Sequence, residues 1–346
     1  MSMSFRTSAQ ENEILSLAAS FIDTVKSNSY SGSSVNWDSI TPVFMEKSRQ
    51  VETVKDLLPL FKSVLELLHD KHSLVQYHEI DTNMKESFMA QIQNMARMTD
   101  SKAGLPPKNF GSYMIDKKYA YINIPPVQFE QAKYIDTIGK QLEFLDQNNP
   151  KAWIIDITEN SGGANYPMIW HFASLIDVDY TYSEVGKDGQ EQKVSVILRP
   201  RGAEAKQVYD ILGLDPLKSP PVKLKNNNIP IIILTSYYTA SAAEAFLLHF
   251  KGQKNVTIVG QKTAGRTSSN QYYEIGNNLS IELTVSLLKE RNGKIYKVNE
   301  GVAPDVIIPY DLSNIKTTNQ LLKSINKEKQ VYLKKAVEVI ENRHKL

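Results

Sequence analysis

The sequence contains no cysteine among its 346 residues. This absence excludes disulfide bonds, a thiolate nucleophile and metal sites built on cysteine sulfur. It does not identify the compartment, because secreted proteins can also lack cysteine.

The chain also lacks long apolar runs and a strong charge of either sign. No run approaches the roughly 18 apolar residues of a membrane-spanning helix, and the opening stretch MSMSFRTSAQENEIL has no apolar core of a signal peptide. The 40 Lys and Arg residues nearly balance the 38 Asp and Glu residues, for a net charge of +2. We therefore expect a soluble chain with no nucleic-acid partner and no membrane span. The compartment stays open between the cytoplasm and, where a signal has been removed, a secreted or periplasmic location. The sequence is also compatible with an oligomer.

The composition is that of a globular protein, and the apolar pattern changes once along the chain. Residues 8–28 and 51–68 have helical spacing, which predicts a small helical region. A Pro/Gly break, SKAGLPPKNF at 101–110, indicates a boundary. Beyond it, strand patterns alternate with helical ones, which favours an α/β core with parallel pairing. Predicted strands are 119–125, 152–158, 193–200, 229–235, 256–260 and 279–289; predicted helices are 128–146, 168–176 and 241–250. The predicted division is a helical region at 1–100, a core at 101–314 with an insertion at about 177–228, and a C-terminal helix at 315–346.

Ser241 lies in TSYYTASAAEAFLLHF (235–250), where an apolar strand turns into an Ala-rich helix. One interpretation is a helix cap, since Ser241 and Glu244 fit the S-x-x-E capping box. The other is a nucleophile, because the N–H of Ala242 at the helix start would donate to an oxyanion formed on the serine.

A second strand-to-helix turn, IIDITENSGGANYP (154–167), contains Gly162 and Gly163. Paired glycines let backbone N–H groups approach a ligand, which suits the other half of an oxyanion hole. The segment does not have the spacing of a phosphate-binding loop. An ordinary turn is the alternative.

The segment LELLHDKHSLVQYHE (65–79) holds His69, His72 and His78. Their spacing is not that of H-E-x-x-H, so we expect no metal site and no cofactor. A serine nucleophile needs a base, and histidine is the side chain best tuned for that role near neutral pH.

Two later segments carry further candidates, each of which surface chemistry would also explain. In NEGVAPDVIIP (299–309), Glu300 or Asp305 would orient a histidine. In VGQKTAGRTSSNQYYEI (259–275), interpreted as a strand followed by a polar loop, Lys262 and Arg266 are candidates for a base or for binding a substrate carboxylate.

Taken in order, these segments resemble the tail-specific, or C-terminal processing, serine proteases, including their tricorn-core branch. The resemblance rests on DKHS (70–73), YAYINIP (119–125), IIDITENSGG (154–163), LTSYYTASAAEAF (234–246), VTIVGQKTAGRTS (256–268) and GVAPDVIIP (301–309). It implies a crotonase-like (ClpP/crotonase) core of stacked ββα units. It also implies that Ser241 is the nucleophile, with an oxyanion hole from the N–H of Ala242 and of one of Gly162 and Gly163.

The base differs from the lysine that many members of this family use. The lysine position, 25 residues after Ser241, is occupied by Arg266, which stays protonated and cannot act as a base. The tricorn-core branch instead implies His72 as base and Glu300 as its orienting carboxylate. Lys71 stands where that branch has an auxiliary serine, and Asp70 is a rival orienter.

A PDZ domain, which many members of the family insert before the core, is expected to be absent. Only 46 positions separate Ser73 from Tyr119, too few for a typical domain of about 100 residues. The sequence therefore predicts a serine endopeptidase that hydrolyses a peptide or protein substrate through an acyl-enzyme. The alternatives are an inactive protein that binds peptides or apolar ligands on the same scaffold, and an acyl-CoA enzyme of the crotonase type.

Overall fold

The computed structural model describes residues 7–77, 88–196, 202–214, 220–276 and 279–343, which form a mixed α/β fold. The α-helices are α1 (Ser8–Asn28), α2 (Trp37–Ser48), α3 (Leu57–Glu66), α4 (Phe88–Arg97), α5 (Gln131–Gln147), α6 (Asn165–Ile169), α7 (Gly202–Leu212), α8 (Ala242–Phe250), α9 (Thr318–Lys327) and α10 (Lys329–Arg343). The strands are β1 (Leu74–Tyr77), β2 (Ser112–Ile115), β3 (Tyr119–Asn123), β4 (Ala152–Asp156), β5 (Tyr180–Gly186), β6 (Glu191–Ser195), β7 (Ile231–Thr235), β8 (Val256–Gly260), β9 (Ser268–Gly276), β10 (Leu279–Glu290) and β11 (Val306–Ile307). Short 3₁₀ turns cover Gly32–Ser34, Val54–Asp56 and Trp170–Leu175. In these described ranges, no helix is both long and apolar enough to span a membrane.

The N-terminal helices α1, α2 and α3 pack around three aromatic rings. The ring of Phe21 stacks on that of Phe61 with centroids 3.9 Å apart. The ring of Phe44 lies farther away, with its centroid 5.9 Å from that of Phe21 and 6.0 Å from that of Phe61. Thr7 is the N-cap of helix α1, and its hydroxyl and backbone N–H exchange hydrogen bonds with Gln10 in a capping box. Because Phe61 is fully buried, its replacement by Ala would cost about 3–5 kcal/mol. The helices therefore form a packed layer and not a loose appendage.

The first sheet is antiparallel, and the long strand β10 is its centre. Strand β9 pairs along one edge of β10, while β1 and β5 share the other edge and β6 extends β5. Alternate residues of a strand face opposite sides. Ile281 and Leu283 pack against the N-terminal helices, whereas Glu282 and Leu288, which have the other parity, line a cleft. The alternation in LSIELTVSLLKE thus builds a core on one face and a site on the other.

The second sheet has the order β11-β8-β7-β4-β3-β2 and is parallel except for the β2–β3 pair. Helices α5 and α8 cover one face, packing on residues such as Trp153 and Ile233. Helix α10 covers the other face, packing on Ile154 and Ile232. Burial of both faces explains why these strands are continuous apolar runs in the sequence. The loops after β4, β7 and β8 meet at the carboxyl edge of this sheet, which is where open α/β sheets bind ligands.

Three sequence predictions of local structure need correction. The segment after β8 is a polar loop only to Thr267, because β9 begins at Ser268 and pairs with β10. The helix predicted at 168–176 is α6 followed by a 3₁₀ turn. In the 177–228 segment the sequence predicted one strand, whereas the structure has two, β5 and β6, both in the first sheet. The predicted strand at 193–200 overlaps β6, and residues 197–200 lie outside the described residues.

Candidate active site

Ser241 stands at the turn between β7 and α8 in an unusual backbone conformation. Its φ and ψ are 56° and −122°, a combination that L-residues rarely adopt and that costs about 1–3 kcal/mol. A Cβ at Gly162 would lie 2.8 Å from the Ser241 Cβ and 2.9 Å from the Ala240 carbonyl. The turn therefore needs glycine at position 162, and it presents the Ser241 hydroxyl at the start of a buried helix.

The buried carboxylate of Glu244 holds this turn against the loop after β8. It accepts from the N–H groups of Ser241 (2.8 Å), Gly265 (3.0 Å) and Arg266 (2.8 Å), and from the Thr263 hydroxyl. Burial raises the pKa of Glu244, and these donors act in the opposite direction. Ser241 and Glu244 thus form the capping box that the S-x-x-E pattern indicated, and the Glu244 N–H also donates to the Ser241 carbonyl. Ser241 Oγ has a further partner outside this turn.

That partner is His72, in the bend just before β1. Its Nε2 lies 2.9 Å from Ser241 Oγ, and its Nδ1 lies 2.7 Å from Ser268 Oγ. Burial first and then the charge of Arg266 lower the pKa of His72, Asp70 opposes them, and the result is a pKa of about 4. The imidazole is therefore neutral at neutral pH and able to accept a proton.

Asp70 holds the backbone of His72 and not its ring. One carboxylate oxygen accepts from the His72 N–H at 2.8 Å, and the other accepts from the Ser73 hydroxyl at 2.5 Å. Asn299 fixes the residues just before, accepting from the Lys71 N–H and donating to the His69 carbonyl. The side chain that contacts Nδ1 is therefore Ser268, and the rival role of Asp70 as ring orienter does not fit this geometry.

The orienting role expected for Glu300 also does not fit. Its carboxylate pairs with Lys294 Nζ at 2.8 Å and accepts from the Lys297 N–H at 3.0 Å. The hydrogen bond from Lys294 is the largest of the contributions that lower its pKa. Both ring nitrogens of His72 already have hydroxyl partners, so Glu300 is a surface residue of the turn. Lys71, at the auxiliary serine position, has an exposed side chain and does not link the two.

The two glycines of the 162–163 pair differ in their N–H groups. The Gly162 N–H donates to Asn160 Oδ1 at 2.9 Å, and it is thereby occupied. Within the described chain, the N–H groups of Gly163 and Ala242 have no acceptor, and both residues line the cleft beside Ser241. Gly163 has a φ of 111°, and a Cβ there would lie 2.0 Å from the Val127 carbonyl. The pair available to an oxyanion is therefore Gly163 and Ala242.

The cleft around Ser241 has a volume of about 370 Å³. The polar face of the first sheet forms one wall of the cleft and contributes Glu184 and Glu282. No Lys or Arg belongs to the described lining of the cleft. Burial raises the pKa of both glutamates, with the Ser269 hydroxyl opposing this at Glu184.

Other sequence candidates lie apart from this cleft. Arg266 is exposed, and Lys262 is exposed at the start of the same loop. The Asp305 carboxylate accepts from the Ile258 N–H at 2.8 Å, which is a structural role. His78 lies outside the described residues, and among the described ones no group of His, Asp or Glu is arranged to hold a metal. The contact of Ser268 with His72 and those of Glu244 with the loop after β8 were missed; SSNQYYEIG has polar residues on both faces and gives no strand signal that would have placed Ser268.

Ser241 and His72 are thus at hydrogen-bond distance in a cleft of a mixed α/β fold. The chain belongs to a family of serine proteases, peptidase family S41, whose sequence profile matches residues 118–308. Ser241 and both glycines lie inside the matched range, and His72 lies before it.

Known relatives and solved structures are similar to this chain at low identity. The Nisin-resistance protein of Lactococcus lactis subsp. lactis is 23% identical over 275 residues, which are 79% of this chain and 76% of that protein. The chloroplastic carboxyl-terminal-processing peptidase 2 of Arabidopsis thaliana is 24% identical over 173 residues, 50% of this chain and 29% of that protein. A lipoprotein from Streptococcus agalactiae superposes with a TM-score of 0.66 at 20% identity, covering 94% of this chain and 99% of that one. The photosystem II D1 C-terminal processing protease superposes with a TM-score of 0.51 at 13% identity, covering 87% and 96%. At these identities the structures show the fold.

Proposed function

We propose that the chain is a serine endopeptidase in which Ser241 forms the acyl-enzyme and His72 is the general base. The supporting observation is the 2.9 Å separation of His72 Nε2 from Ser241 Oγ in an open cleft. This is hydrogen-bond distance for transfer of the hydroxyl proton. Membership of a peptidase family implies a peptide or protein substrate.

In the proposed reaction, Ser241 Oγ attacks the carbonyl carbon of a peptide bond while its proton passes to His72 Nε2. The N–H groups of Ala242 and Gly163 donate to the tetrahedral oxyanion. The intermediate collapses, the C–N bond breaks, and His72 returns the proton to the leaving amine. Water, deprotonated by His72, then hydrolyses the ester and releases Ser241.

We also propose that the core at 101–314 is crotonase-like and that, because its base is a histidine, the chain lies with the tricorn-core branch. The parallel sheet β3-β4-β7-β8 with α5 and α8 on one face supports the first point. In this division, residues 1–100 and 315–346 are additions that cover the core.

The rival functions have less support. An inactive binding protein on this scaffold would need no contact between Ser241 and His72, which are at hydrogen-bond distance. An acyl-CoA enzyme needs cations for the phosphates of its ligand, and the described lining of the cleft contains Glu184 and Glu282 with no Lys or Arg.

The test is covalent labelling by a fluorophosphonate together with turnover of a peptide library. We expect wild-type protein to be labelled, Ser241→Ala to lose labelling completely, and His72→Ala to lose it by about a hundredfold or more. His69→Asn is the matched control, because His69 is exposed and has a positive φ that asparagine tolerates. Undiminished labelling of Ser241→Ala would overturn the proposal.

A further inference from the structure

His72 and the side chains of Ser268, Thr284 and Asn270 form a closed ring of hydrogen bonds. The His72 imidazole begins the ring and the His72 backbone carbonyl closes it. His72 Nδ1 lies 2.7 Å from Ser268 Oγ, which lies 3.3 Å from Thr284 Oγ1. Thr284 Oγ1 lies 3.1 Å from Asn270 Oδ1, and Asn270 Nδ2 lies 2.9 Å from the His72 carbonyl oxygen. The ring joins the segment just before β1 to β9 and β10, and Thr284 within it is buried.

The direction of every proton in this ring follows from one group that can only accept. The His72 carbonyl has no proton, so the amide nitrogen of Asn270 must face it, and Asn270 Oδ1 must face Thr284. Asn270 Oδ1 also only accepts, so Thr284 spends its single hydroxyl proton on Asn270. Thr284 can then only accept from Ser268, and Ser268 can only accept from His72 Nδ1.

We propose that this ring fixes His72 as the Nδ1–H tautomer, with Ser268, Thr284 and Asn270 as positioning residues. Nε2 then keeps its lone pair and faces Ser241 Oγ, which is the arrangement that a general base needs. In the other tautomer Nε2–H would donate to the serine oxygen and could not take its proton. The catalytic consequence rests on the proposed peptidase function, whereas the tautomer does not.

The ring performs with neutral groups the task that a carboxylate performs in a Ser-His-Asp triad. A carboxylate would favour the imidazolium and raise the pKa of the histidine. A serine hydroxyl adds no charge, and this agrees with the lowered pKa of His72 in its buried site. The ring therefore selects the tautomer without favouring the charged form.

The tautomer is measured on protein with ¹⁵N-labelled histidine, from the imidazole nitrogen shifts of His72, which the His72→Ala spectrum assigns. At pH 7 we expect Nδ1 to have the shift of a protonated nitrogen and Nε2 that of an unprotonated one. Thr284→Val removes the acceptor of the Ser268 proton, so Ser268 becomes free to donate to Nδ1, and we expect the pattern to mix or reverse. Thr284→Ser should restore it, and Thr137→Val, at a partly exposed position of helix α5 whose hydroxyl donates to the Lys133 carbonyl, should leave it unchanged.

The kinetic arm uses the fluorophosphonate rate and kcat. We expect Thr284→Val and Asn270→Asp to lower kcat roughly ten- to a hundredfold with little change in KM, and Thr284→Ser to recover most of it. A wild-type spectrum with Nε2 protonated would overturn the inference, and so would a Thr284→Val spectrum like that of wild type. If the spectra are as expected but no peptide or probe reacts, the peptidase proposal fails and the tautomer assignment stands.

Discussion

His72 Nε2 lies 2.9 Å from Ser241 Oγ, although 169 positions separate the two residues in the chain. The contact exists because His72 directly precedes β1, which pairs with β10 in the antiparallel sheet, while Ser241 follows β7 at the carboxyl edge of the parallel sheet. Both residues therefore line the same cleft, which has walls from both sheets.

The lowered pKa of His72 predicts an unusually acid-tolerant enzyme. A base must be unprotonated, so activity is lost as pH falls through the folded pKa, here about 4 and not the ordinary 6.5. We expect the acid limb of kcat/KM, and of the fluorophosphonate labelling rate, to have its midpoint well below pH 6. A limb near pH 6.5 would contradict the burial argument.

Arg266 should influence the pH at which activity is lost in acid. Its positive charge lowers the pKa of His72, second only to burial, so Arg266→Gln removes a repulsion and raises the pKa. We expect the acid limb to move to higher pH while activity at pH 8 changes little. Lys262→Gln, an exposed cation of the same loop that does not act on His72, is the control. An unchanged limb in Arg266→Gln would contradict the assignment.

The positions of Ser241 and of both glycines in strand-to-helix turns could be predicted from the sequence because they follow the apolar strands β7 and β4. The roles of these residues and of His72 rested on the family resemblance, and they stay proposals. The position of Ser268 could not be predicted, since SSNQYYEIG has polar residues on both faces and becomes a strand only by pairing with β10. Glu300 was assigned to the wrong partner for a similar reason. Its position near the site is set by the chain, but Lys294 pairs with its carboxylate, and spacing alone cannot predict such a competition.

Glu244 should matter for stability more than its helix position suggests. Its carboxylate accepts four hydrogen bonds, of which three join α8 to the loop after β8 and one comes from the Ser241 N–H. Glu244→Gln turns one accepting oxygen into a donor that faces another donor, which we expect to cost about 1–3 kcal/mol. The free energy of unfolding in urea measures this, and the labelling rate should fall with it. Glu338→Gln, in an exposed helix pair with Lys335, should be within about 0.5 kcal/mol of wild type.

The buried histidines predict loss of stability in mild acid. Burial lowers the pKa of His249 to about 3, so the unfolded chain binds a proton below pH 6.5 that the folded chain does not. Its stabilising contribution is present above pH 6.5 and falls by about 1.4 kcal/mol per pH unit around pH 5. The slope of unfolding free energy against pH should be shallower by that amount in His249→Asn. His171, with a pKa lowered to about 4, gives a second test through His171→Asn, and equal slopes in both variants and wild type would contradict the prediction.

Glu282 and Glu184 predict a preference for basic side chains in the substrate. The two glutamates line the same cleft as Ser241, and neither has a cationic partner among the described ion pairs. A lysine or arginine side chain entering the cleft would supply one, so we expect a peptide with lysine to exceed its norleucine counterpart in kcat/KM by roughly tenfold, equal to about 1.4 kcal/mol.

Glu282→Gln should reduce this ratio, mainly by raising KM for the lysine peptide, because the contact forms on binding. Glu274→Gln, an exposed glutamate on β9 outside the cleft lining, is the matched control. An unchanged ratio in Glu282→Gln and Glu184→Gln would show that the carboxylates do not select the substrate, and equal binding of both peptides to Ser241→Ala would show it without turnover.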